Sequence, residues 1–476
     1  MMNWRLRNMR LNVLIILLFW GVFVHAQASF NLKLRAHYND TTLPKLGDQI
    51  WNDVMGWKDT VKNKEYMISG TTDSIYFFDV TQPDTIILCA RFSGTNTRCV
   101  NRDYYPYHHY LYAVSDQCLN SGNLQIFDMQ YLPDSVVKVY ESDTLGALTH
   151  SIFIEAKSKR LYMAINKVYD STLGTTRAWP LDIISLENPT APTRIGRILF
   201  PAPYNAARVH EAYVRNDTAY CSSENAGLFI VDVTRADSPV LISAIVPPYP
   251  QNAYNHSSWL DSSGRYLLFC DETPEGVGMK VYDLKDIREP RIVNQPFKEE
   301  GSPHNAYWMG DYVYASMYYG GVQIYNLQDP AHPFIVAYYD TYPKPYDGGY
   351  KGCWGVWPFL PSGKILASDM TYGLFVLEPT FNVGLQESNR VNEQLLVFPN
   401  PTMGKVILRI PTLVPEEAQL EVWSISGKLV AKRLISLAQG VNQIEENADL
   451  SPGLYVFKVV TKDKIYTARV VRLESN

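Results

Sequence analysis

The sequence predicts an all-β protein, a seven-bladed β-propeller followed by a small C-terminal β-sandwich. The first observation behind this is a repeated segment that reads small residue, apolar, any, apolar, apolar, Asp or a relative. It occurs seven times and ends at Asp79, Asp128, Ser185, Asp232, Asp283, Asn326 and Glu378. Neighbouring copies lie 43 to 57 residues apart, and strand-like segments fill the intervals, which is the mark of a radial β-architecture. The second observation is an independent register mark upstream of each copy, at Asn52, Arg102, His150, His210, His256, His304 and Trp354. The third is composition. Aromatic residues make up 13% of the 476 residues, 33 of them tyrosines, and such residues suit pleated, half-buried surfaces.

Residues 1–26 read as a signal peptide. Arg5, Arg7 and Arg10 precede an apolar run from Leu11 to Val24 that is too short for a spanning helix. Val24-His25-Ala26 offers a cleavage site, so the mature chain is expected to begin at Gln27, with Ala26 the last residue removed. No later stretch approaches 18 apolar residues, so no transmembrane span is expected in the mature chain. A net charge of −5 without a basic patch excludes nucleic acid as a partner.

Residues 27–380 read as the propeller, with four strands, a to d, in each repeat. The Asp that ends strand c accepts a bond from the backbone two residues on, and a Pro a few residues later forces an extended return into strand d, so this Asp is structural. The seventh repeat has strands a to c and stops near Pro379. The segment Phe30–Tyr38 resembles the other d strands, such as Phe334–Tyr339, and is expected to close the ring from the N-terminal side. Export permits disulfides. Of the six cysteines, Cys99 precedes an inner strand and Cys118 follows the next one, which makes them the candidate pair.

Residues 381–394 are polar and read as a linker. Residues 395–476 carry a second strand pattern, at 395–398, 405–410, 420–423 and 453–460, with turns at Ser426-Gly427-Lys428 and Ser451-Pro452-Gly453.

The candidate chemistry lies at the register marks. His150, His210, His256 and His304 hold the same position in four consecutive blades, at the start of the innermost strand and one mouth of the central channel. The residue after the mark adds the carboxylates Asp53, Asp103 and Glu211. Neutral imidazoles with carboxylates at converging loop ends would hold a divalent transition metal. The alternative is a repeated inter-blade hydrogen bond, each histidine tying one blade to the next, and both readings stay open at this point. Glu211 and His210 are expected to face opposite ways along a strand. There is no Gly-x-Ser-x-Gly elbow, phosphate-cradling glycine loop or His-Glu-x-x-His, so no catalytic residue and no other cofactor is assigned.

Two resemblances add to this. Gly227–Val233 (Gly-Leu-Phe-Ile-Val-Asp-Val), Trp51–Trp57, Glu65–Gly70 and Asn101-Arg102-Asp103 resemble the LVIVD repeat of secreted bacterial β-propellers of the choice-of-anchor B group. This covers roughly residues 30–379 and implies fold and export without an established reaction. Ser185 and the crowded Tyr105-Pro106-Tyr107 depart from the pattern. The motif Phe398-Pro399-Asn400-Pro401, the turn around Gly427, Pro452-Gly453-Leu454-Tyr455 and the terminal Ala468-Arg469-Val470-Val471 resemble the C-terminal sorting domain of type IX secretion. That likeness implies the type IX machinery as a partner, passage across the outer membrane of a Gram-negative bacterium, and a surface or extracellular location. Asp followed by Ser or Thr and then an apolar residue or Thr, starting at Asp40, Asp59, Asp73, Asp84, Asp134, Asp143, Asp170 and Asp217, resembles the O-glycosylation acceptor of such bacteria and equally fits turn chemistry.

Three functions follow as expectations. The first is a non-enzymatic binding or display protein that meets a protein or glycan at the surface. The second is a metal-assisted hydrolase or lyase that uses the histidines. The third is an adhesin or matrix component.

Overall fold

The computed structural model describes residues 29–381 and 391–474, apart from 95–96, 119–121, 123, 171–173, 248–253, 275–276, 295, 299, 346–347, 413–414, 426–427, 447–449 and 462–463. The expected signal peptide with its Ala26–Gln27 cleavage site, Gly427, and most of the expected linker lie outside the described residues. Every regular element among the described residues is a strand, and these residues form no helix long and apolar enough to cross a membrane.

The N-terminal strands are β1 (Ser29–Phe30) and β2 (Leu32–Tyr38). Blade one is β3 (Trp51–Asp59), β4 (Lys64–Thr71), β5 (Ser74–Asp79) and β6 (Ile87–Ser93). Blade two is β7 (Asn101–Tyr107), β8 (Tyr110–Asp116), β9 (Leu124–Asp128) and β10 (Val137–Ser142). Blade three is β11 (Ser151–Glu155), β12 (Arg160–Asp170), β13 (Thr175–Ser185) and β14 (Thr193–Ile198). Blade four is β15 (Glu211–Arg215), β16 (Thr218–Ser222), β17 (Leu228–Asp232) and β18 (Val240–Ile245). Blade five is β19 (Tyr254–Leu260), β20 (Tyr266–Thr273), β21 (Met279–Asp283) and the two-residue β22 (Arg291–Ile292). Blade six is β23 (Ala306–Met309), β24 (Tyr312–Ser316), β25 (Val322–Asn326) and β26 (Phe334–Tyr339), extended by β1. Blade seven is β27 (Cys353–Trp357), β28 (Ile365–Asp369) and β29 (Gly373–Pro379), completed by β2.

Each blade is covered by its neighbours on both faces, so its inner strands are apolar throughout rather than alternating. All six residues of β5 are buried, as are all five of β9 and of β27. The outer d strands are half-exposed, as in β6 and β10. The residue that ends strand c then makes the same turn in six of the seven blades. Asp79, Asp128, Asp232 and Asp283 accept from the backbone N–H two residues on at 2.8–2.9 Å, and Asn326 does so at 3.0 Å. Ser185 repeats the turn with its hydroxyl, at 3.3 Å.

The ring closes through β2, which pairs antiparallel with β29 from Leu32 opposite Pro379 to Tyr38 opposite Leu374. Its ladder carries a bulge between Leu34 and Ala36, and bulges break the c–d ladder of blades one, two, three, four and six as well. A bulge bends and twists an outer strand away from the flat edge, and β2 shares this feature with the d strands made within a single repeat. The bulge residue, Arg35, donates to both carboxylate oxygens of Asp84 at 2.8 Å and to Glu378 at 2.6 Å. Nearer the axis, Lys364 of blade seven sits 2.8 Å from Glu65 of blade one, with both side chains buried. Gly56 lets the Trp357 ring approach so closely that a Cβ there would lie 2.4 Å from it. A disulfide joins Cys99 to Cys118, and Cys89, Cys221, Cys270 and Cys353 are free thiols.

The C-terminal module has two sheets. The first orders β30 (Val391–Gln394), β37 (Lys464–Arg472), β36 (Gly453–Val460), β33 (Glu416–Ser424) and β34 (Leu429–Leu437); the second orders β31 (Leu396–Phe398), β32 (Val406–Thr412) and β35 (Gly440–Glu446). Leu408 and Ile410 of the smaller sheet meet Leu420, Val422, Phe457 and Val459 of the larger in one buried core, which makes a β-sandwich. Val391–Gln394, within the stretch read from sequence as linker, is a strand that pairs parallel with β37.

Deleting Ser29 to Tyr38 should expose the edge of β29 and remove the Arg35 bridge. We expect the melting temperature of the truncated protein to fall by roughly 10 °C, as for the loss of several kcal/mol, with aggregation through the open edge. An unchanged melting curve and a monodisperse scattering profile would contradict this.

Candidate functional site

The innermost strands converge on the axis, and the repeat stacks their side chains in layers. The register marks form the outer layer. The rings of His150 and His210 lie 4.1 Å apart by centroids, those of His210 and His256 4.1 Å, and those of His256 and His304 4.3 Å; Trp354 continues the row with its ring 5.4 Å from His304. One position deeper come Asp53, Asp103, Ser151, Glu211, Ser257, Asn305 and Gly355. Two positions deeper again, Tyr105, Phe153, Tyr213, Trp259, Tyr307 and Trp357 form an aromatic floor with centroids 4.3–5.9 Å apart around the ring. The alternation follows from the two-residue period of a strand, which turns every second side chain toward the axis. A cavity of about 50 Å³ lies among these layers.

His210 and Glu211 line this cavity together, against the expectation that they face opposite ways. The pleat begins only at Glu211, the first residue of β15. His210 precedes the strand, so its side chain is not bound by the alternation.

The blades are tied at this level through the backbone carbonyls of the mark residues, and at His150 and His304 through the rings as well. Ser151 donates to the His210 carbonyl at 2.6 Å, Ser257 to the His304 carbonyl at 3.2 Å, and Ser316 to the Trp354 carbonyl at 2.8 Å. Asn101 donates to the His150 carbonyl at 2.5 Å. Of the four imidazoles, His150 has a carboxylate partner, with Nδ1 3.3 Å from Asp116 of the preceding blade. The Nδ1 atoms of His210, His256 and His304 are buried and carry no hydrogen bond. Burial, with the neighbouring imidazoles, holds the pKa of His210 and His256 well below its ordinary value, and burial lowers that of His304 to about 3. All three rings are neutral at pH 7, which is the ligand form.

The carboxyls beneath are shifted the other way. Burial raises Asp53 to about 6, although it is hydrogen-bonded to Asp103. Burial and the charge of Asp53 hold Asp103 well above the usual carboxylate range. Asp103 also accepts from the N–H of Ile152 at 2.6 Å, which joins blade two to blade three. Glu211 rises to about 8, through burial first and the charge of Asp53 second. Asp53 fits because position 355 is glycine, where a Cβ would stand 2.1 Å from the Asp53 carboxylate.

Two sets of residues were missed by the sequence reading. The aromatic floor has a signal, since each member sits three residues after its mark. Glu272 has none, because it lies near the end of β20, the second strand of blade five, and not at a mark. It nevertheless approaches two of the histidines: His256, Glu272 and His304 each offer a ligand atom, and these atoms lie within 4.8 Å of one another. The Tyr318 hydroxyl donates to Glu272 at 2.5 Å, and burial raises the Glu272 carboxyl to about 7.

In the C-terminal module, Asn400 donates to the Arg469 carbonyl at 2.6 Å and accepts from Val471 N–H at 2.9 Å, which pins the segment bearing Pro399 and Pro401 to the last strand. Tyr455, two residues after Gly453, donates to the Ser451 carbonyl at 2.8 Å. Residues 396–472 match the family described as the secretion system C-terminal sorting domain. The chain is therefore secreted by the type IX system, whose machinery is its partner through this module, to the outer-membrane surface or the extracellular space. No curated protein matches the chain. Similar solved structures include a putative 6-phosphogluconolactonase from Bacteroides fragilis, at 12% identity over 84% of this chain and 99% of that one, with a TM-score of 0.47. Others are the periplasmic gluconolactonase of Pseudomonas aeruginosa (10%, covering 65% and 96%, TM-score 0.46) and the C-terminal WD40 domain of Sif2 (10%, covering 69% and 96%, TM-score 0.47).

Two outcomes are expected. Glu211 binds its proton more tightly in the folded state, so its contribution to stability is complete below pH 4.5 and is lost as the pH rises to about 8. Glu211→Gln does not titrate there. In chelator, its denaturant-derived stability should gain on the parent across that window, by on the order of 1 kcal/mol per pH unit at most; a constant difference would contradict the assignment. Separately, a chain lacking residues 395–476 should fold and stay in the periplasm, and cell fractionation showing the same surface exposure as the full chain would refute this.

Proposed function

We propose that this exported protein is a binding protein of the cell surface and that the mouth of its channel holds a divalent transition-metal ion. The observation that carries the reading is the row of buried imidazoles at His210, His256 and His304, each with an Nδ1 that no hydrogen bond uses. An unpartnered buried polar atom costs on the order of 1–3 kcal/mol. Three lie side by side, at a position where the Ser151 and Ser257 bonds between blades go to backbone carbonyls. Neutral imidazoles with carboxylates suit zinc, iron or manganese better than calcium or magnesium. The cavity between the histidine layer and the aromatic floor has room for an ion with bound water.

We further read residues 27–380 as one propeller unit of the LVIVD, choice-of-anchor B kind, and 395–476 as the sorting unit. The recurrent turn after strand c supports the first assignment and the family match at 396–472 the second. A second function, metal-assisted hydrolysis or elimination, draws on the position of Asp53, Asp103 and Glu211 in the same cavity.

Elemental analysis of the secreted protein tests the reading. We expect about one zinc, iron or manganese ion per chain, lost in the His210→Ala/His256→Ala double variant. Chelator should lower the melting temperature, by mass action on the folded state. The shift should be larger at pH 7 than at pH 5, where protons compete for the Glu272 carboxyl, which burial raises to about 7. A metal-free protein whose melting ignores both chelator and added ions would overturn it.

A further inference from the structure

We infer that the ion is coordinated by His256, His304 and Glu272, a two-histidine, one-carboxylate site spanning blades five and six, with Tyr318 positioning the carboxylate. The inference rests on the metal reading of the channel mouth and specifies its ligands.

The ligand atoms of the three residues already lie within 4.8 Å of one another, a spacing that one ion at ordinary coordination distances of about 2.0–2.2 Å bridges with small rotamer changes. The two histidines are buried, with residue exposures of 2% for His256 and 8% for His304, and Glu272 is slightly more exposed at 9%. Two of the three orphaned imidazole nitrogens, those of His256 and His304, belong to this set. His150 differs, because Asp116 already occupies its ring nitrogen.

Glu272 is held for the task. Tyr318 donates to its Oε1 at 2.5 Å, and the Tyr318 ring stands edge-on to His304 with centroids 5.4 Å apart, so one tyrosine braces both a carboxylate and an imidazole. Such an outer partner fixes the orientation of a ligand and tunes its basicity. Three protein ligands leave open positions on a divalent ion. The channel cavity of about 50 Å³ has room for water there, or for a small anion or a donor group of a surface ligand. Two neutral imidazoles and one carboxylate leave a divalent ion with a residual positive charge, which favours an anionic donor at the open positions.

The test is titration of chelator-stripped full-length protein with zinc, followed by calorimetry, for the parent and for Glu272→Gln and Tyr318→Phe, with cobalt(II) absorption as a structural readout. The parent should bind one zinc per chain. Glu272→Gln, which keeps the shape and removes the anionic ligand, should bind about tenfold more weakly or worse, with a changed cobalt spectrum. Tyr318→Phe should weaken binding by less and leave the cobalt coordination number unchanged. Equal zinc affinity and an identical cobalt spectrum in Glu272→Gln would overturn this inference and leave the metal reading of the mouth intact. A parent that binds no zinc, cobalt or manganese would overturn both. If Glu272→Gln fails to fold, Tyr318→Phe decides, because unchanged affinity there removes the positioning role and with it the geometry on which the assignment depends.

Discussion

The pairing of β2 with β29 is the contact on which the rest of the propeller depends. A propeller blade is covered on both faces only if the ring is complete, and six repeats with an incomplete seventh leave one outer ladder open. The N-terminal strand fills it in the same bulged register as the d strands made within single repeats. Arg35 at the bulge ties the new strand to Asp84 of blade one and to Glu378 of β29. Nearer the axis, Lys364 and Glu65 lock the same junction from within. The convergence of the innermost strands, and with it the stacking of histidine, carboxyl and aromatic layers, presupposes this closure.

Within that frame, backbone and side chain divide the work at the channel mouth. The carbonyls of the mark residues accept the serine and asparagine bonds that hold neighbouring blades together. The Nδ1 atoms of His210, His256 and His304 are left without a hydrogen bond. The same position can therefore be Asn52, Arg102 or Trp354 in other blades, each making different contacts, while the scaffold stays constant. Arg102, for example, turns back to donate to the Thr71 carbonyl at 2.9 Å.

Much of this was legible in the sequence, for identifiable reasons. The turn after strand c is a local event between residues two apart, so Asp79 or Asp232 announces it without tertiary information. The absent seventh d strand and the d-like segment Phe30–Tyr38 together pointed to closure, because an open edge is unfavourable wherever it lies. The histidine row was legible because the repeat places its members at equal depth. The aromatic floor escaped because strand a is apolar at many positions and only its constant offset of three from the mark distinguishes it. Glu272 escaped for a deeper reason: it sits off the repeat register, and its nearness to His256 and His304 is created by the packing of two blades. Val391–Gln394 carries no strand signal of its own, and its conformation is set by its partner β37. The relation of His210 to Glu211 was misjudged because the start of a strand, where alternation begins, is the least certain boundary to read.

The closing strand also sets a clock. Arg35 and Glu378 meet although they are 343 residues apart in the chain. A contact of that span forms slowly, since the loop entropy between its ends must be overcome before it contributes. The blades between must be largely assembled to bring the ends together. The ring therefore cannot lock until its last strand has been synthesised and released. For a secreted protein, the propeller therefore reaches its stable form only when both of its ends are present.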